Sequence, residues 1–367
     1  MTIDPSAADA MCSVGEEPTF SVGDDEDHDE LWFSRVLGVA RLSDGSVAVA
    51  DDQSREVRIF DASGSHVRSM GREGEGPGEF DNIWFMWRLP GDTLWVGDFR
   101  PWRYHLYTST GEHVRTVTMD PLYANRSRGG GVLANGVSLN VRYEPARRRD
   151  FKTPDSWHVE AHGPDGKLLG TLMTLPGRTF GRVGGDASNF YDSPLFDASS
   201  SIDVAGRTVA VANGRDPEVK VLDDELRLRL VVRWDDPGRE VTAAHVRSAR
   251  EARRRRAGEA GEERRLGISD LDSDLPAADF FPSVSSVKAG VDGTVWVWRY
   301  PRPGVPGRSR VMAFGSDGDL ECFLTTNKDD YRILEFGADY VLGVHTTELG
   351  VQHVAMYDLV RPAAPPK

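Results

Sequence analysis

Residues 44–64 read DGSVAVADDQSREVRIFDASG, and this stretch holds two short strands bounded by turn signals. The pair Asp44-Gly45 favours a tight hairpin turn, and an apolar run at 47–49 follows it directly. A second run at 57–60 leads into another turn at Asp61–Gly64. One such unit cannot bury its own apolar faces, so copies of it are expected elsewhere in the chain.

The unit recurs six times. An apolar run follows a turn-like pair or cluster in each copy, at 47–49, 94–96, 137–139, 209–211, 295–297 and 341–343. A second strand and a further turn follow in five copies, at 57–64, 105–111, 159–166, 219–224 and 311–318. After the ends and one insertion are set aside, about 48 residues remain per unit, the length of a four-stranded propeller blade. We therefore predict an all-β fold, a six-bladed β-propeller of four-stranded antiparallel blades.

The two ends of the chain fit the closure of such a ring. The last unit offers strands near 331–336, 340–345 and 351–358 but no fourth strand, and the segment at 18–22 can supply it. A strand borrowed in this way covers an exposed sheet edge, which closed β architectures avoid. The competing fold, one or two β-sandwiches, gives no reason for a register that repeats six times.

The predicted organisation is one propeller over residues 19–362, between a flexible segment at 1–18 and a tail at 363–367. The blades span roughly these residues: 35–80, 81–125, 131–180, 194–240, 280–326, and 328–360 together with 18–22. An insertion at 241–279 separates the fourth and fifth blades.

The segment from Val241 to about Arg265 breaks the β pattern. It is rich in Ala, Arg and Glu, and Thr242 suits an N-cap, so we predict a helix in the insertion. This helix carries the basic run Arg253–Arg256. Such a run can bind phosphate or an acidic partner, but on helices it is usually a solvated face, and nearby glutamates offset part of its charge.

Composition excludes several function classes. The 367 residues carry 58 acidic and 44 basic side chains, a net charge of -14, so nucleic acid and anionic membranes are poor partners. No apolar run approaches the roughly 18 residues of a membrane span. Cys12 and Cys322 fit no CxxC or zinc pattern, and two cysteines make no disulfide framework, so they assign no redox compartment. No basic region followed by an apolar region marks an export signal in the chain.

The densest glycine motif is GREGEGPGEF at 71–80. It lacks the GlyLysSer or GlyLysThr ending of a phosphate loop, and it lacks the strand-before and helix-after context of a dinucleotide fingerprint. Pro77 and the strand-like run that follows favour a tight turn from the outer strand of one blade to the inner strand of the next.

At this motif the chain resembles the bacterial six-bladed β-propeller proteins with NHL-like repeats, whose first blades commonly carry a GxxGxGPGEF loop. Residues 281–297 also resemble the family, and residues 340–354 look like its closing blade. Blades 3 and 4 depart from the pattern because they lack the glycine-rich exit loop. The resemblance implies the propeller fold and a periplasmic or cell-envelope location, but no particular activity, because most members have none assigned.

Polar residues recur where the second strand of each blade ends. Four residues on from the start of that strand, the equivalent positions are Asp51, Asp98, Val141, Asn213, Arg299 and His345. The loops of one face emerge there, so we predict that these residues ring the mouth of the axial channel, bordered by Arg72, Glu75, Glu79, Trp102 and Arg103. A polar ligand site explains them, and so does the ordinary preference of strand ends and turns for polar residues.

Three sets of residues are candidate metal ligands. If calcium or another divalent ion lies on the axis, the register supplies only Asp51, Asp98, Asn213 and His345. His158, Glu160 and His162 share one face of a strand and could hold zinc, although this is an outer strand before a turn. The acidic run at 24–30 lacks the glycine and spacing of a calcium loop.

Four tryptophans alternate within strands, which is typical of packing between blades: Trp84, Trp87, Trp296 and Trp298.

No catalytic motif is apparent in the sequence. It contains no GlyxSerxGly elbow, and no Ser, His and Asp set can be assembled from sequence order. We therefore predict a non-catalytic propeller, monomeric and without a cofactor, that binds a protein, peptide or glycan on the face of the channel mouth. The alternative is a propeller enzyme, a hydrolase or lyase with an axial metal.

Overall fold

Five of the six apolar runs lie wholly within buried strands, and the sixth begins one residue before its strand. The computed structural model describes residues 2–3, 10–23, 32–122, 126–183, 190–259, 275–302, 311–324 and 330–362. Over these residues the protein consists of strands apart from one helix. No helix in these ranges has the length and apolar character needed to cross a membrane.

Three short strands lie near the N-terminus, and each pairs with a strand formed much later in the chain. They are β1 (Thr2–Ile3), β2 (Met11–Val14) and β3 (Phe20–Val22). These segments therefore complete sheets whose other strands are distant in sequence.

The next eight strands form two four-stranded antiparallel sheets in chain order. The first holds β4 (Val36–Arg41), β5 (Val47–Asp51), β6 (Glu56–Phe60) and β7 (His66–Met70). The second holds β8 (Ile83–Leu89), β9 (Thr93–Asp98), β10 (Arg103–Tyr107) and β11 (His113–Thr118). Every residue of β5 is buried, because the strand is covered on both faces, and this explains a continuous apolar run instead of alternation.

The third and fourth sheets have five strands each. The third holds β12 (Arg126–Val132), β13 (Ser138–Glu144), β14 (Asp150–His162), β15 (Leu168–Val183) and β16 (Phe190–Asp192). The fourth holds β17 (Ser201–Ala205), β18 (Thr208–Ala212), β19 (Glu218–Leu222) and β20 (Leu228–Trp234), with β1 added parallel to β20.

The predicted helix is α1 (Ala243–Glu259). Thr242 caps it, because its Oγ1 accepts the His245 amide at 3.3 Å. Val246 and Ala249 of the helix pack against a small cluster that includes buried Leu195 and Leu275. The remainder of the predicted helix, from 260 to 265, lies outside the described residues.

The last seven strands join β2 and β3 in a nine-stranded sheet. They are β21 (Val284–Ala289), β22 (Val295–Arg299), β23 (Val311–Phe314), β24 (Leu320–Leu324), β25 (Tyr331–Phe336), β26 (Tyr340–Thr346) and β27 (Gln352–Val360). β2 lies between β24 and β27, and Cys12 of β2 forms a disulfide with Cys322 of β24. The sequence alone assigned these cysteines no pairing. β3 pairs antiparallel with β27, where Phe20 lies opposite Met356.

Six strands are here called the first strands, because each begins a run of antiparallel strands along the chain: β4, β8, β12, β17, β21 and β25. First strands pack against one another. β4 contacts β8, β8 contacts β12, β12 contacts β17, β17 contacts β21, and β25 contacts β4. The approach is close: a Cβ atom on Gly38 of β4 would lie 2.6 Å from the Met86 Cβ of β8. This architecture is consistent with a β-propeller. The sheets do not divide into six sets of four, because β1 and β2 extend the outer edges of later sheets and β16 extends the third.

Candidate functional site

Asp51 and Asp98, at the predicted channel mouth, are buried and hold the segments that lead into their own sheets. Asp51 accepts the Arg35 amide at 2.9 Å, and Asp98 accepts the Asn82 amide at 2.9 Å and the Arg103 Nε at 3.0 Å. Burial raises the pKa of Asp98, while these donors act in the opposite direction. Both carboxylates are thus engaged with groups of the protein.

Asn213 and Arg299 have local partners as well. The Asn213 Oδ1 accepts the amide of Arg215 at 3.0 Å, which shapes the turn after β18. The Arg299 Nη2 lies 2.6 Å from the Asp236 Oδ1, and Arg302 binds the same buried carboxylate. Each of these two predicted mouth residues is therefore part of a loop network.

His345 completes the predicted ring, together with Val141, which is buried in the core. The His345 Nδ1 lies 2.9 Å from the Asp330 Oδ2, and its Nε2 lies 2.8 Å from the Tyr357 hydroxyl. Across the described ranges, no three His, Cys, Asp or Glu side chains come close enough together to hold a metal ion. Asp51, Asp98 and His345 are accordingly not gathered into one ligand set.

The glycine-rich loop at 71–80 does bring predicted site residues together. Arg72 pairs with Glu79, with the Nη2 and Oε1 atoms 2.6 Å apart, and the Gly76 amide donates to the other Glu79 oxygen at 2.9 Å. The Gly76 amide, followed by Arg72, lowers the pKa of Glu79. Arg103 donates to the carbonyls of Glu75 and Glu79 at 2.7 and 3.0 Å. Arg103 therefore ties the loop to the second sheet.

A buried histidine, His105, lies beneath this loop, and no sequence motif singled it out. The Gly78 amide donates to the His105 Nδ1 at 3.2 Å, so the ring proton is on Nε2, 4.0 Å from the Asp98 Oδ2. Burial is the main cause that lowers the pKa of His105 to about 3. Trp102, another predicted mouth residue, is buried nearby and packs edge-on against His162.

The possible zinc residues of β14 have separate partners. His158 lies 2.8 Å from a Glu144 oxygen, and Glu160 accepts the Arg142 Nε at 2.8 Å. The His162 ring lies 3.2 Å from the amide nitrogen of a buried asparagine on β13.

The remaining candidates are dispersed. Arg253 pairs with Asp192 at the end of the third sheet. Trp296 is buried and stacks on Phe336 with the ring centroids 4.1 Å apart. Trp84 stacks on Phe99 at 5.0 Å. The acidic run at 24–30 lies outside the described residues.

A channel of about 420 Å³ runs between the first strands and is lined by residues of β4, β8, β12, β17, β21 and β25. Its walls include Trp84, Trp87 and main chain around Gly38. Charged side chains line it too, and they come from four different strands: Arg88, Asp203, Lys288, Arg332 and Glu335.

The two channel carboxylates bind main-chain donors of neighbouring strands. Asp203 accepts the Ala289 amide at 2.9 Å, and Glu335 accepts the Arg41 amide at 3.1 Å and the Tyr340 hydroxyl at 2.6 Å. Burial raises the pKa of both carboxyls. Each carboxylate therefore links two first strands.

The three cationic side chains of the channel have fewer contacts with hydrogen-bond acceptors than the two carboxylates have with donors. The Lys288 Nζ lies 3.6 Å from the Asp203 Oδ1, a contact too long for a hydrogen bond. The Arg88 Nη1 lies 3.0 Å from an Asp92 oxygen, and the Arg332 Nη2 donates to the Val36 carbonyl at 2.9 Å. Among the described residues, the channel lining therefore holds three positive and two negative side chains, although the whole protein is strongly acidic.

A sequence signal for the channel residues exists. Asp203, Lys288 and Glu335 pair with Ala210, Trp296 and Leu342, each the second residue of an apolar run. A charge on the strand before an apolar run, opposite the second residue of that run, therefore marks a side chain of the channel wall.

Neither a protein-family model nor a curated protein matches the chain. Solved structures do. One is a protein from Bacteroides fragilis described as exported, with a TM-score of 0.54, 11% identity and coverage of 96% of this chain and 99% of its own. Another is a member of the DUF4221 family from Bacteroides vulgatus, with a TM-score of 0.53, 8% identity and coverage of 96% and 99%.

A gluconolactonase from Xanthomonas campestris also aligns, with a TM-score of 0.43, 11% identity and coverage of 99% and 100%. This likeness is too loose to carry an argument about activity. The two Bacteroides structures show the fold alone.

Proposed function

We propose that this protein is a six-bladed β-propeller that binds, without catalysis, a peptide or glycan whose anionic group enters the axial channel. The blade count is supported by the six first strands that line one channel. In this proposal the nine-stranded sheet contains two blades joined through β2, and β3 is the fourth strand of the last blade. NHL-like repeats are part of the same proposal.

The observation that carries the proposal is the charge of the channel. Lys288, Arg88 and Arg332 line it together with only two carboxylates. Both carboxylates accept main-chain hydrogen bonds, and burial raises the pKa of both, so they compete poorly with an incoming anion. A concave, partly apolar site with a few convergent polar groups is the usual form of a ligand site.

The test uses an anion that stays ionised over the working pH range. Sodium methanesulfonate is compared with sodium chloride at equal ionic strength, and the melting temperature is measured for the wild type and for Lys288→Met. We expect methanesulfonate to raise the melting temperature of the wild type and to have a smaller effect on the variant. Lys220→Met is the matched control, because Lys220 lies on β19 and pairs with Glu218. Equal shifts in all three proteins would exclude the channel as an anion site.

The alternative function is that of an enzyme with an axial divalent metal. Metal analysis of the purified protein distinguishes it from the binding propeller, since the binding propeller requires no metal. A stoichiometric metal that is lost in Asp51→Ala or His345→Ala would favour the enzyme.

We place the protein outside the cytoplasm, in the periplasm or cell envelope. The disulfide between Cys12 and Cys322 supports this location, because disulfides persist in oxidising compartments. The Bacteroides fragilis neighbour described as exported is in keeping with it. A monomer remains the proposed state in solution.

A further inference from the structure

A second cavity lies outside the channel and shares no lining residue with it. It is a cleft of about 330 Å³ between the segments 194–198, 215–216 and 276–282, with Lys152, Thr179 and Arg239 at its sides. These segments meet at the edge of the fourth sheet where Asn213 shapes the turn after β18.

The cleft has an aromatic wall. Phe281 is buried, and Phe196 lies edge-on against it with the ring centroids 4.7 Å apart. Phe280 stands beside them at the rim with 55% of its surface exposed. The exposed Phe280 and the partly exposed Phe196 both line the cleft, and they provide a surface on which a flat apolar group can lie.

The backbone around the cleft is strained at two aromatic residues. Phe151 and Phe196, both cleft residues, each have a φ of 62°, in the left-handed region that bulky side chains rarely adopt. Residues in such conformations persist only where the surrounding structure holds them, and they concentrate at functional sites.

The charged groups of the cleft are unequally paired. Arg239 donates to the Phe281 carbonyl at 3.2 Å, whereas the side chains of Lys152 and Arg215 form no ion pair or hydrogen bond with any described residue. Three carboxylates line the cleft as well. Asp197 accepts the Thr179 amide at 2.7 Å and interacts electrostatically with Arg215, and Asp216 accepts the Asn213 amide group at 2.7 Å, whereas the exposed Asp279 side chain forms no hydrogen bond or ion pair with a described residue.

We propose that this cleft binds a small organic carboxylate with an aromatic body. The ring of the ligand lies against Phe280 and Phe196, and its carboxylate pairs with Arg215 and Lys152. A planar guanidinium favours a carboxylate because it can donate two parallel hydrogen bonds. This site is independent of the proposed channel function, so either can fail without the other.

The probes are 3-phenylpropionate, 3-phenylpropanol and 3-phenylpropylamine, which share a ring and differ in charge. Isothermal titration calorimetry of the full chain measures each dissociation constant. We expect the carboxylate to bind about tenfold more tightly than the alcohol, which corresponds to one favourable charged contact. The amine is expected to bind more weakly than the alcohol. Equal binding of carboxylate and amine, or no binding of any of the three, overturns the proposal.

Variants separate the charged contact from the aromatic one. Arg215→Met and Lys152→Met should each weaken the carboxylate about fivefold and leave the alcohol unchanged, whereas Phe280→Ala should weaken all three probes. Arg227→Met is the matched control, because Arg227 is exposed on the same sheet and pairs with Asp223. If Arg215→Met and Lys152→Met bind the carboxylate as the control does, the assigned site is wrong. Channel variants such as Lys288→Met should leave this binding intact.

Discussion

Cys12 and Cys322 form a disulfide that joins two strands whose cysteines are 310 residues apart in sequence. Met11 and Cys12 of β2 run parallel to β24, and Ser13 and Val14 run antiparallel to β27. The covalent bond and two hydrogen-bonded ladders therefore hold this four-residue strand between β24 and β27 of one sheet.

Replacing both cysteines, Cys12→Ala with Cys322→Ala, should lower the free energy of unfolding by about 2–4 kcal/mol, because the bond restricts the unfolded chain. Denaturant titration of the oxidised proteins measures this loss. The wild type in excess reductant should approach the variant, and the variant should not respond to reductant. An unchanged midpoint in the double variant would contradict the prediction.

Removal of residues 1–24 should destabilise the protein more than removal of residues 1–16, because only the longer truncation removes β3. Phe20 and Val22 are buried against β27, and their loss should cost about 3–6 kcal/mol. Both truncations carry Cys322→Ala so that the lone thiol does not affect the comparison. Melting temperatures that agree between the two would show that β3 contributes little to the last sheet.

Acidification should destabilise the protein through His105. Its folded pKa of about 3 lies below the ordinary value of 6.5, so below pH 6.5 the unfolded state binds a proton that the folded state excludes. The contribution of neutral His105 to the free energy of unfolding is complete above pH 6.5. It decreases by about 2–3 kcal/mol when the pH is lowered to about 4.5.

The control for this effect is His105→Asn, whose side-chain oxygen replaces the Nδ1 acceptor of the Gly78 amide. The variant should be less stable at pH 7 and should lose less stability on acidification. Parallel pH profiles for the two proteins would assign the acid sensitivity to other groups.

Anion binding in the channel should strengthen as the pH falls. Burial raises the pKa of Glu335 and Asp203, so both protonate at a higher pH than exposed carboxyls do, and the channel then loses negative charge. The methanesulfonate-induced rise in melting temperature should therefore be larger at acidic pH than at pH 7. Glu335→Gln should show a larger rise at pH 7 and a weaker pH dependence. A rise that does not change with pH in the wild type would count against Glu335 as the responsive group.

Much of the fold follows from local sequence. The run at 47–49 is preceded by Asp44-Gly45, and Gly45 has the φ of 89° that its turn requires. Strand and turn signals of this kind act over a few residues, so they can be recognised without knowledge of the rest of the chain. Thr242 likewise marks the start of α1.

The candidate site was less predictable because its contacts are not local. Asp51 has the residue type of a ligand, but its partner is the amide of Arg35 in the segment before β4. The channel charges Asp203 and Lys288 belong to different sheets, and their approach depends on how those sheets pack. The disulfide is the extreme case, because no feature near Cys12 indicates β24.

The placement of β2 also constrains how the protein is made. At a translation rate of about 5–20 residues per second, the 310 residues from Cys12 to Cys322 take about 15–60 s to synthesise. Cys12 has no cysteine of β24 to pair with during that time. These 367 residues contain two cysteines, so no other disulfide can form among them. The competing product is a disulfide between two chains, and a high concentration of chains whose Cys12 and Cys322 have not yet paired favours it.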